Sequence, residues 1–493
     1  MVVLATSLSL GAAVNVVASG VAEAKGVPTA LYGVSCPTTS RCIAVGTTVT
    51  ANYYRKTLVR SWNGTSWSTI ASPNPSTAVD SSLSGVSCVS TTSCVAVGSF
   101  YDNTTSNTLI ESWNGTNWSI ITSPPITNST DSLLAGVSCI STSSCTAVGQ
   151  YWDGSMYRAL IESWNGTTWS TVASPTGTGI GSTYLSGVSC ISTTFCTAVG
   201  TYFDGNNYPA LIESWNGTNW SIATSPPAST SIDSGLFGVS CISISSCTAV
   251  GWYYDGTTQK ALIESWNGTT WSTVTSLNNA NSTSNILTAV SCVAATWCTA
   301  TGFVYPNGAD QSLIESWDGT TWSVLGSPNF QTAFEGDLLG IACNSPTTCV
   351  VTGYTIQPQN YFASIAYFAP LAPSTLKVVG GTGKATISWS SPDGVDTRYT
   401  ATASPGGAHC SSTSTSCVLT GLAAGKTYSI SVTATNAVGS ATSATPVSVT
   451  LSVPLARAEL AATGSNVWVL IEGALLLLGL GLITVWKRRN ASI

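Results

Sequence analysis

A cysteine-bracketed segment recurs along most of the chain at an almost fixed interval, and that interval limits the folds open to it. The best copies read Leu185-Ser186-Gly187-Val188-Ser189-Cys190, five residues, then Cys196-Thr197-Ala198-Val199-Gly200. The leading cysteines are Cys36, Cys88, Cys139, Cys190, Cys241, Cys292 and Cys343, spaced by 52 residues once and by 51 thereafter. A period of this length marks stacked or circular architectures, in which each copy buries its apolar surface against its neighbours. A residue present in every copy is therefore a scaffold residue first.

Each period reads as four short strands. In the third they are Leu134 to Cys139, Cys145 to Tyr151, Ala159 to Trp164 and Thr168 to Val172. Asn165-Gly166 is a two-residue type I′ hairpin signal, and Asp153-Gly154 marks another turn. Proline loops such as Ser174-Pro175 join one period to the next. Four antiparallel strands, seven times over, predict an all-β chain with a seven-bladed β-propeller over residues 29–369. The small, uncharged Gly-Val-Ser-Cys run suits a crowded inner strand. The third strand is apolar on both faces, Ile212 with Ala210 and Leu211 with Trp215, as packing between two neighbours requires. A β-solenoid is the alternative, but its coils are usually much shorter than this period.

The seventh copy is incomplete. Ala363-Ser364-Ile365-Ala366-Tyr367 stands where other copies have Leu-Ile-Glu-Ser-Trp, and no Asn-Gly-x-x-Trp follows. Val14-Asn15-Val16-Val17-Ala18-Ser19 resembles Trp169 to Ser174 and offers a closing strand. The same stretch also reads as a leader. Val2 to Val21 is apolar and small, and Ala22-Glu23-Ala24 is an A-x-A cleavage pattern, so residues 1–24 are expected to be a signal peptide. The positive n-region is missing, since the first basic residue is Lys25. The small apolar residues before the A-x-A pattern favour removal, which would destroy the strand.

The 16 cysteines fall into C-x5-C or C-x6-C pairs with none left over. The expected disulfides are Cys36–Cys42, Cys88–Cys94, Cys139–Cys145, Cys190–Cys196, Cys241–Cys247, Cys292–Cys298, Cys343–Cys349 and Cys410–Cys417. They imply an oxidising compartment. Zinc ligand pairs are usually closer in sequence, and His409 is the lone histidine. Charged residues make up 7% of the chain and the net charge is −6, so there is no basic patch for nucleic acid.

Residues 371–451 change character. The runs Ala385-Thr386-Ile387-Ser388-Trp389 and Leu419-Thr420-Gly421-Leu422, continuing to Tyr428 and Val432, resemble a bacterial fibronectin type III domain. The resemblance implies a β-sandwich used as a spacer or interaction module, with Cys410 and Cys417 stapling a hairpin. In the linker 452–466, Leu460-Ala461-Ala462-Thr463-Gly464 resembles the L-A-x-T-G sorting signal of class E sortases. That resemblance implies cleavage between Thr463 and Gly464, with sortase and peptidoglycan as anchoring partners. The stretch 467–486 reads as a transmembrane helix with Glu472 its only charge, and the basic tail 487–493 as cytoplasmic. On either mode of anchoring the rest of the chain faces outward.

The repeats offer several chemical groups. Trp-[Asn/Asp]-Gly-x-x-Trp, beginning at Trp62, Trp113, Trp164, Trp215, Trp266 and Trp317, gives paired indoles that lock a hairpin or a ring of sugar-stacking platforms. Glu111, Glu162, Glu213, Glu264 and Glu315 share one environment, whereas glycoside hydrolysis needs one differentiated carboxylate pair. The Asp-Gly turns at Asp153, Asp204 and Asp255 suit turn formation more than calcium. No catalytic residues, metal ligands or cofactor motifs are assigned. A functional site should break the repeat, and the residues that do so are Trp152, Arg158, Trp252, Lys260 and Trp297. The reading is a surface-anchored binding or adhesion protein for glycan, wall polymer or protein. The alternatives are an extracellular glycosidase-type hydrolase or accessory module, and a structural wall component.

Overall fold

A computed structural model describes residues 16–18 and 29–452, apart from 65, 176–180, 227–232, 280, 307–309, 325–334, 346–347, 358–359, 369–372, 391–397, 436–439 and 444. Every regular element among them is a strand, so the described chain is all-β. Its larger part is a propeller-like repeat of four-stranded antiparallel sheets. Unit three is representative: Ser132–Ser141, Ser144–Trp152, Tyr157–Trp164 and Trp169–Val172 pair in chain order. Cys139 lies opposite Cys145 and Trp164 opposite Trp169, so one disulfide and one indole pair sit at the same end of the sheet.

Local geometry explains the motif. The first strand is irregular between Leu134 and Gly136, which brings the Leu133 carbonyl against Gly149. A side chain at Gly149 would collide with that oxygen, and Gly98, Gly200 and Gly251 stand in the same position in neighbouring units. The Asn165-Gly166 hairpin is not the expected two-residue turn. Four residues separate Trp164 from Trp169, only Gly166 has positive φ (96°), and Asn165 Oδ1 accepts the Thr167 and Thr168 N–H groups at 2.9 Å. The Asn side chain thus supplies the turn acceptor that a type I′ backbone would otherwise provide.

Neighbouring units are tied by repeated contacts. Ser138 Oγ accepts the Cys190 N–H of the next unit at 3.0 Å, and Ser189 does the same for Cys241. Gly33 packs on Gly85, Gly85 on Gly136, Gly136 on Gly187 and Gly187 on Gly238. Gly340 packs back onto Gly33, and Asn344 Nδ2 donates to the Cys36 carbonyl at 2.9 Å across 308 residues of sequence. Units five and six also touch through one parallel bridge, Gln259 to Ser284.

In the last unit, Glu335–Ser345, Thr348–Gln357 and Asn360–Phe368 take their fourth strand from the N-terminus. Val16 pairs with Phe368, Val17 with Tyr367 and Ala18 with Ala366. This is the role the likeness to Trp169–Ser174 offered, in a different register: Val16, and not Val14, stands at the place of Trp169. It is exclusive, in one mature chain, with removal of residues 1–24. The rest of the leader, Thr463 and Gly464 of the sorting motif, the span 467–486 and the tail 487–493 lie outside the described residues. No helix among the described residues is long and apolar enough to cross a membrane.

The C-terminal module is a sandwich. Ser374–Gly380, Lys384–Ser390 and Ser416–Thr420 form one sheet; Arg398–Ser404, His409–Ser412, Thr427–Thr435, Ser440–Thr442 and Val447–Thr450 form the other. Trp389, Tyr399, Leu419, Ile430 and Val432 are buried between them. Tyr428 Oη accepts the Ala423 N–H at 2.9 Å, the tyrosine corner of such sandwiches. Cys410–Cys417 does not staple a hairpin within one sheet. It joins His409–Ser412 to Ser416–Thr420, which belong to opposite sheets.

Candidate ligand-binding face

The two ends of each unit differ in kind. One end carries the disulfides, Cys36–Cys42, Cys88–Cys94, Cys139–Cys145, Cys190–Cys196, Cys241–Cys247, Cys292–Cys298 and Cys343–Cys349. The indole pairs stand there as well, with ring centroids 5.7 to 5.9 Å apart. The second indole of each pair is buried, Trp169 at 6% exposure and Trp220 at 7%. The first is pinned by its ring nitrogen: Trp164 Nε1 donates to the Thr142 carbonyl at 3.1 Å and Trp215 Nε1 to Thr193 at 3.0 Å. The second rings lock hairpins, while the first rings, apart from the buried Trp113, stand partly exposed. A cavity of about 200 Å³ lies between units three and four at this end, lined in part by Trp215, Trp220 and Cys190–Cys196.

The repeated glutamates are fully enclosed. Glu111, Glu162, Glu213, Glu264 and Glu315 are each 0% exposed. Each accepts a serine hydroxyl from the loop that leaves the preceding unit, as Ser123 Oγ to Glu162 at 2.8 Å and Ser276 Oγ to Glu315 at 2.7 Å. Burial pushes each carboxyl up to about 7, against the weaker lowering effect of the serine bond. A carboxyl tuned near neutrality can serve acid–base chemistry, but these five sit in separate units, closed to solvent. Arg60 takes this position in unit one and Ala366 in unit seven, one residue later than the alignment of Ala363 to Tyr367 with Leu-Ile-Glu-Ser-Trp implied; the register makes Ser364 to Phe368 the matching run.

The opposite end carries the loops between second and third strands. An aromatic residue precedes the turn in five successive units: Tyr101, Trp152, Phe203, Tyr254 and Tyr305. In four of them an aspartate follows. Asp153 Oδ1 accepts the Ser155 and Met156 N–H groups at 2.8 and 2.9 Å, and Asp102, Asp204 and Asp255 make the same turn. The carboxyls are held below the usual range, chiefly by the Thr104 hydroxyl at Asp102, Arg158 at Asp153, the Asn207 N–H at Asp204 and the Thr257 hydroxyl at Asp255, with the backbone bonds of the turn adding to it. The aspartates therefore build turns, and the described residues contain no cluster of three or more His, Cys, Asp or Glu able to hold a metal.

The structure separates the residues that break the repeat. Trp152 and Arg158 belong to the loop of unit three, Trp252 and Lys260 to that of unit five. Arg158 Nε bonds Asp153 Oδ2 at 2.7 Å, and Lys260 Nζ lies 3.8 Å from Asp255 Oδ2. Trp252 lies over Gly235, whose lack of a side chain makes room for the indole. Trp297 does not join them. It opens Trp297–Pro306 opposite Ala294, beside Cys298, at the disulfide end. Two residues were missed, Tyr157 and Tyr184. Trp152 and Tyr157 lie with ring centroids 5.2 Å apart, and Tyr157 and Tyr184 of the next unit 5.4 Å apart. Tyr157 Oη donates to Asp131 Oδ2 at 2.7 Å. Between the units runs a central cavity of about 490 Å³, lined by Val34, Val86, Val137, Val188, Val239, Val290 and Ile341 and by the glycines beside them.

The family model described as the fibronectin type III domain matches residues 371–450, and the chain carries that domain. No curated protein matches the sequence. Among solved structures, the chain is similar to PorZ, an essential bacterial surface component of the type-IX secretion system of Porphyromonas gingivalis. The TM-score is 0.45 at 10% identity, over 84% of this chain and 59% of that one, so the chain spans little more than half of PorZ. It is also similar to the polysaccharide lyase Uly1, with TM-score 0.43 at 8% identity over 68% of this chain and 89% of that one. The Trypanosoma rangeli sialidase in complex with 2,3-difluorosialic acid gives 0.37 at 10% identity, over 87% and 83% of the two chains.

Proposed function

We propose that the chain is a surface-displayed binding protein. Its units form one seven-bladed propeller, carried on the fibronectin type III domain and engaging a glycan, wall polymer or protein ligand at the aromatic loop end. The observation that carries this reading is the contrast between the two ends. The buried second indoles, the disulfides and the glutamates are internal ties, and the first indoles are pinned by their ring nitrogens, whereas the loops at the other end differ from unit to unit and expose aromatic rings, Tyr101 at 40% and Tyr305 at 39%. Binding sites concentrate on such loops over a rigid scaffold. The ring reading is supported by the return contacts of Gly340 and Asn344 onto the first unit.

Display outside the cell is supported by the disulfides, which persist in oxidising compartments. Anchoring through Thr463 and Gly464 to peptidoglycan, or through 467–486 to the membrane, is part of the same proposal. The test is a binding survey of the purified full-length chain against glycans, isolated wall polymer and surface proteins. Saturable binding to one of these classes, lost when Trp152, Phe203 and Tyr254 are replaced together by Ala, fits the proposal. Binding that survives this triple replacement overturns the assignment of the face. Release of reducing sugar from a polysaccharide would instead favour the hydrolase reading.

A further inference from the structure

Resting on the binding reading above, we propose that the junction of units three and four is a binding site for a neutral oligosaccharide, with Trp152, Tyr157 and Tyr184 as its stacking surface. Three observations converge there. The rings form a continuous run across two units, with centroids 5.2 and 5.4 Å apart, and each is partly exposed. The three-ring run belongs to this junction. The position of Tyr157 is Ser106 in unit two and Gln259 in unit five. In unit four the pair recurs as Phe203 and Tyr208, with ring centroids 5.1 Å apart, but no third ring follows, because Gly235 stands at the place of Tyr184. Tyr184 is Leu133 in unit three, so repeat packing does not require an aromatic ring there.

Beside the rings stands a polar rim with unused capacity. Asp131 receives the Tyr157 hydroxyl on Oδ2, and its Oδ1 has no protein partner among the described residues. Arg158, next to Tyr157 in the strand, belongs to the other face of the sheet, where its Nε bonds Asp153 Oδ2 at 2.7 Å. An acceptor oxygen beside an aromatic surface matches a sugar, which presents C–H groups on one face and hydroxyls around its edge. Charge selects among sugars. Arg158 is neutralised by Asp153, and the Asp131 carboxylate stands uncompensated beside the rings, so a uronate or sialate would meet repulsion.

The experiment is a titration of the full-length chain, by calorimetry, with neutral gluco-, manno-, galacto- and arabino-oligosaccharides and with an oligouronate. Trp152→Ala and Tyr184→Ala are compared with Ile244→Ala, which removes an exposed apolar side chain from the turn between Cys241 and Cys247, at the disulfide end. The expected result is binding of at least one neutral oligosaccharide, at least tenfold tighter than the oligouronate. It should weaken at least tenfold in Trp152→Ala and Tyr184→Ala and stay within twofold in Ile244→Ala. Unfolding midpoints of the three variants within a few degrees of the parent keep the comparison clear of misfolding; Tyr184→Phe, which retains the ring, should bind as the parent does. Undiminished binding in the first two variants overturns the site while leaving the chain a binding protein. Tighter binding of the oligouronate overturns the charge argument and with it the proposed ligand class. No binding of any oligosaccharide overturns the inference, and capture of wall polymer or a protein would then preserve the broader reading.

Discussion

Ser174 Oγ donates to Glu213 Oε1 at 2.8 Å, tying the loop that leaves unit three to the third strand of unit four. The two residues are 39 positions apart, and the same pairing recurs at Ser72–Glu111, Ser123–Glu162, Ser225–Glu264 and Ser276–Glu315. Each glutamate is a clasp between neighbouring sheets, held in a place where its charge is costly.

That cost predicts a pH dependence. The folded carboxyl titrates at about 7, against an ordinary value of 4.5, so the folded state binds the proton more tightly than the unfolded chain. The contribution of this carboxyl to stability is therefore fully present below about pH 4.5, falls as pH rises toward about 7, and then levels off. The upper bound per site is on the order of 3 kcal/mol. Glu213→Gln keeps the acceptor for Ser174 and cannot ionise. It should raise the thermal midpoint by a few degrees at pH 8 and leave it nearly unchanged at pH 4. An equal effect at both pH values would count against a buried carboxylate.

The buried indoles predict a purely structural loss. Trp169 is 6% exposed and packs on Trp164 at 5.8 Å. Trp169→Ala should cost about 3–5 kcal/mol in denaturant unfolding. Ligand affinity in the surviving folded fraction should not change; a variant that folds as well as the parent but no longer binds would return the indole pairs to the ligand site.

Reduction gives a third outcome. In the chain-entropy model each of the short loops closed by a disulfide contributes about 2 kcal/mol. Cys190→Ala with Cys196→Ala should lower the unfolding midpoint modestly, and full reduction should lower it much further. Midpoints unaffected by reductant would show that the eight bridges do not constrain the unfolded chain.

The pairing of Val16–Ala18 with Ala366–Phe368 bears on the mature N-terminus. A chain beginning at Lys25 leaves Asn360–Phe368 with an open edge, and such edges invite aggregation. Deleting residues 1–24 should lower the unfolding midpoint and raise aggregation. If the deleted chain is as stable as the parent, the strand is dispensable and removal of a leader is free to occur.

Much of this scaffold was legible because its partners are close in sequence or fixed by the period. Cys190 and Cys196 face each other across a tight turn, and Trp164 and Trp169 across a hairpin, so spacing alone placed them. The Ser174–Glu213 clasp was harder, although both Ser-Pro and Leu-Ile-Glu-Ser-Trp repeat at the same interval; a constant offset of 39 was the available signal. Trp297 was singled out with the others although it lies at the disulfide end, because breaking the repeat says nothing about which end of a sheet a residue occupies. Trp152 was singled out as exceptional, yet it fills a position that is aromatic in five units. Tyr157 and Tyr184 escaped notice because they meet only when two units pack, and no local pattern links them.

The central claim is that repeated residues build the scaffold and the unit-specific aromatic loops carry recognition. A paired measurement tests it most directly: thermal unfolding at pH 8 and ligand affinity, both taken on Glu213→Gln and on Tyr184→Ala. The account predicts that the first variant shifts the midpoint and leaves affinity intact, while the second weakens affinity at least tenfold and leaves the midpoint within a few degrees. Loss of affinity in Glu213→Gln with an unmoved midpoint, together with unchanged binding in Tyr184→Ala, would contradict it.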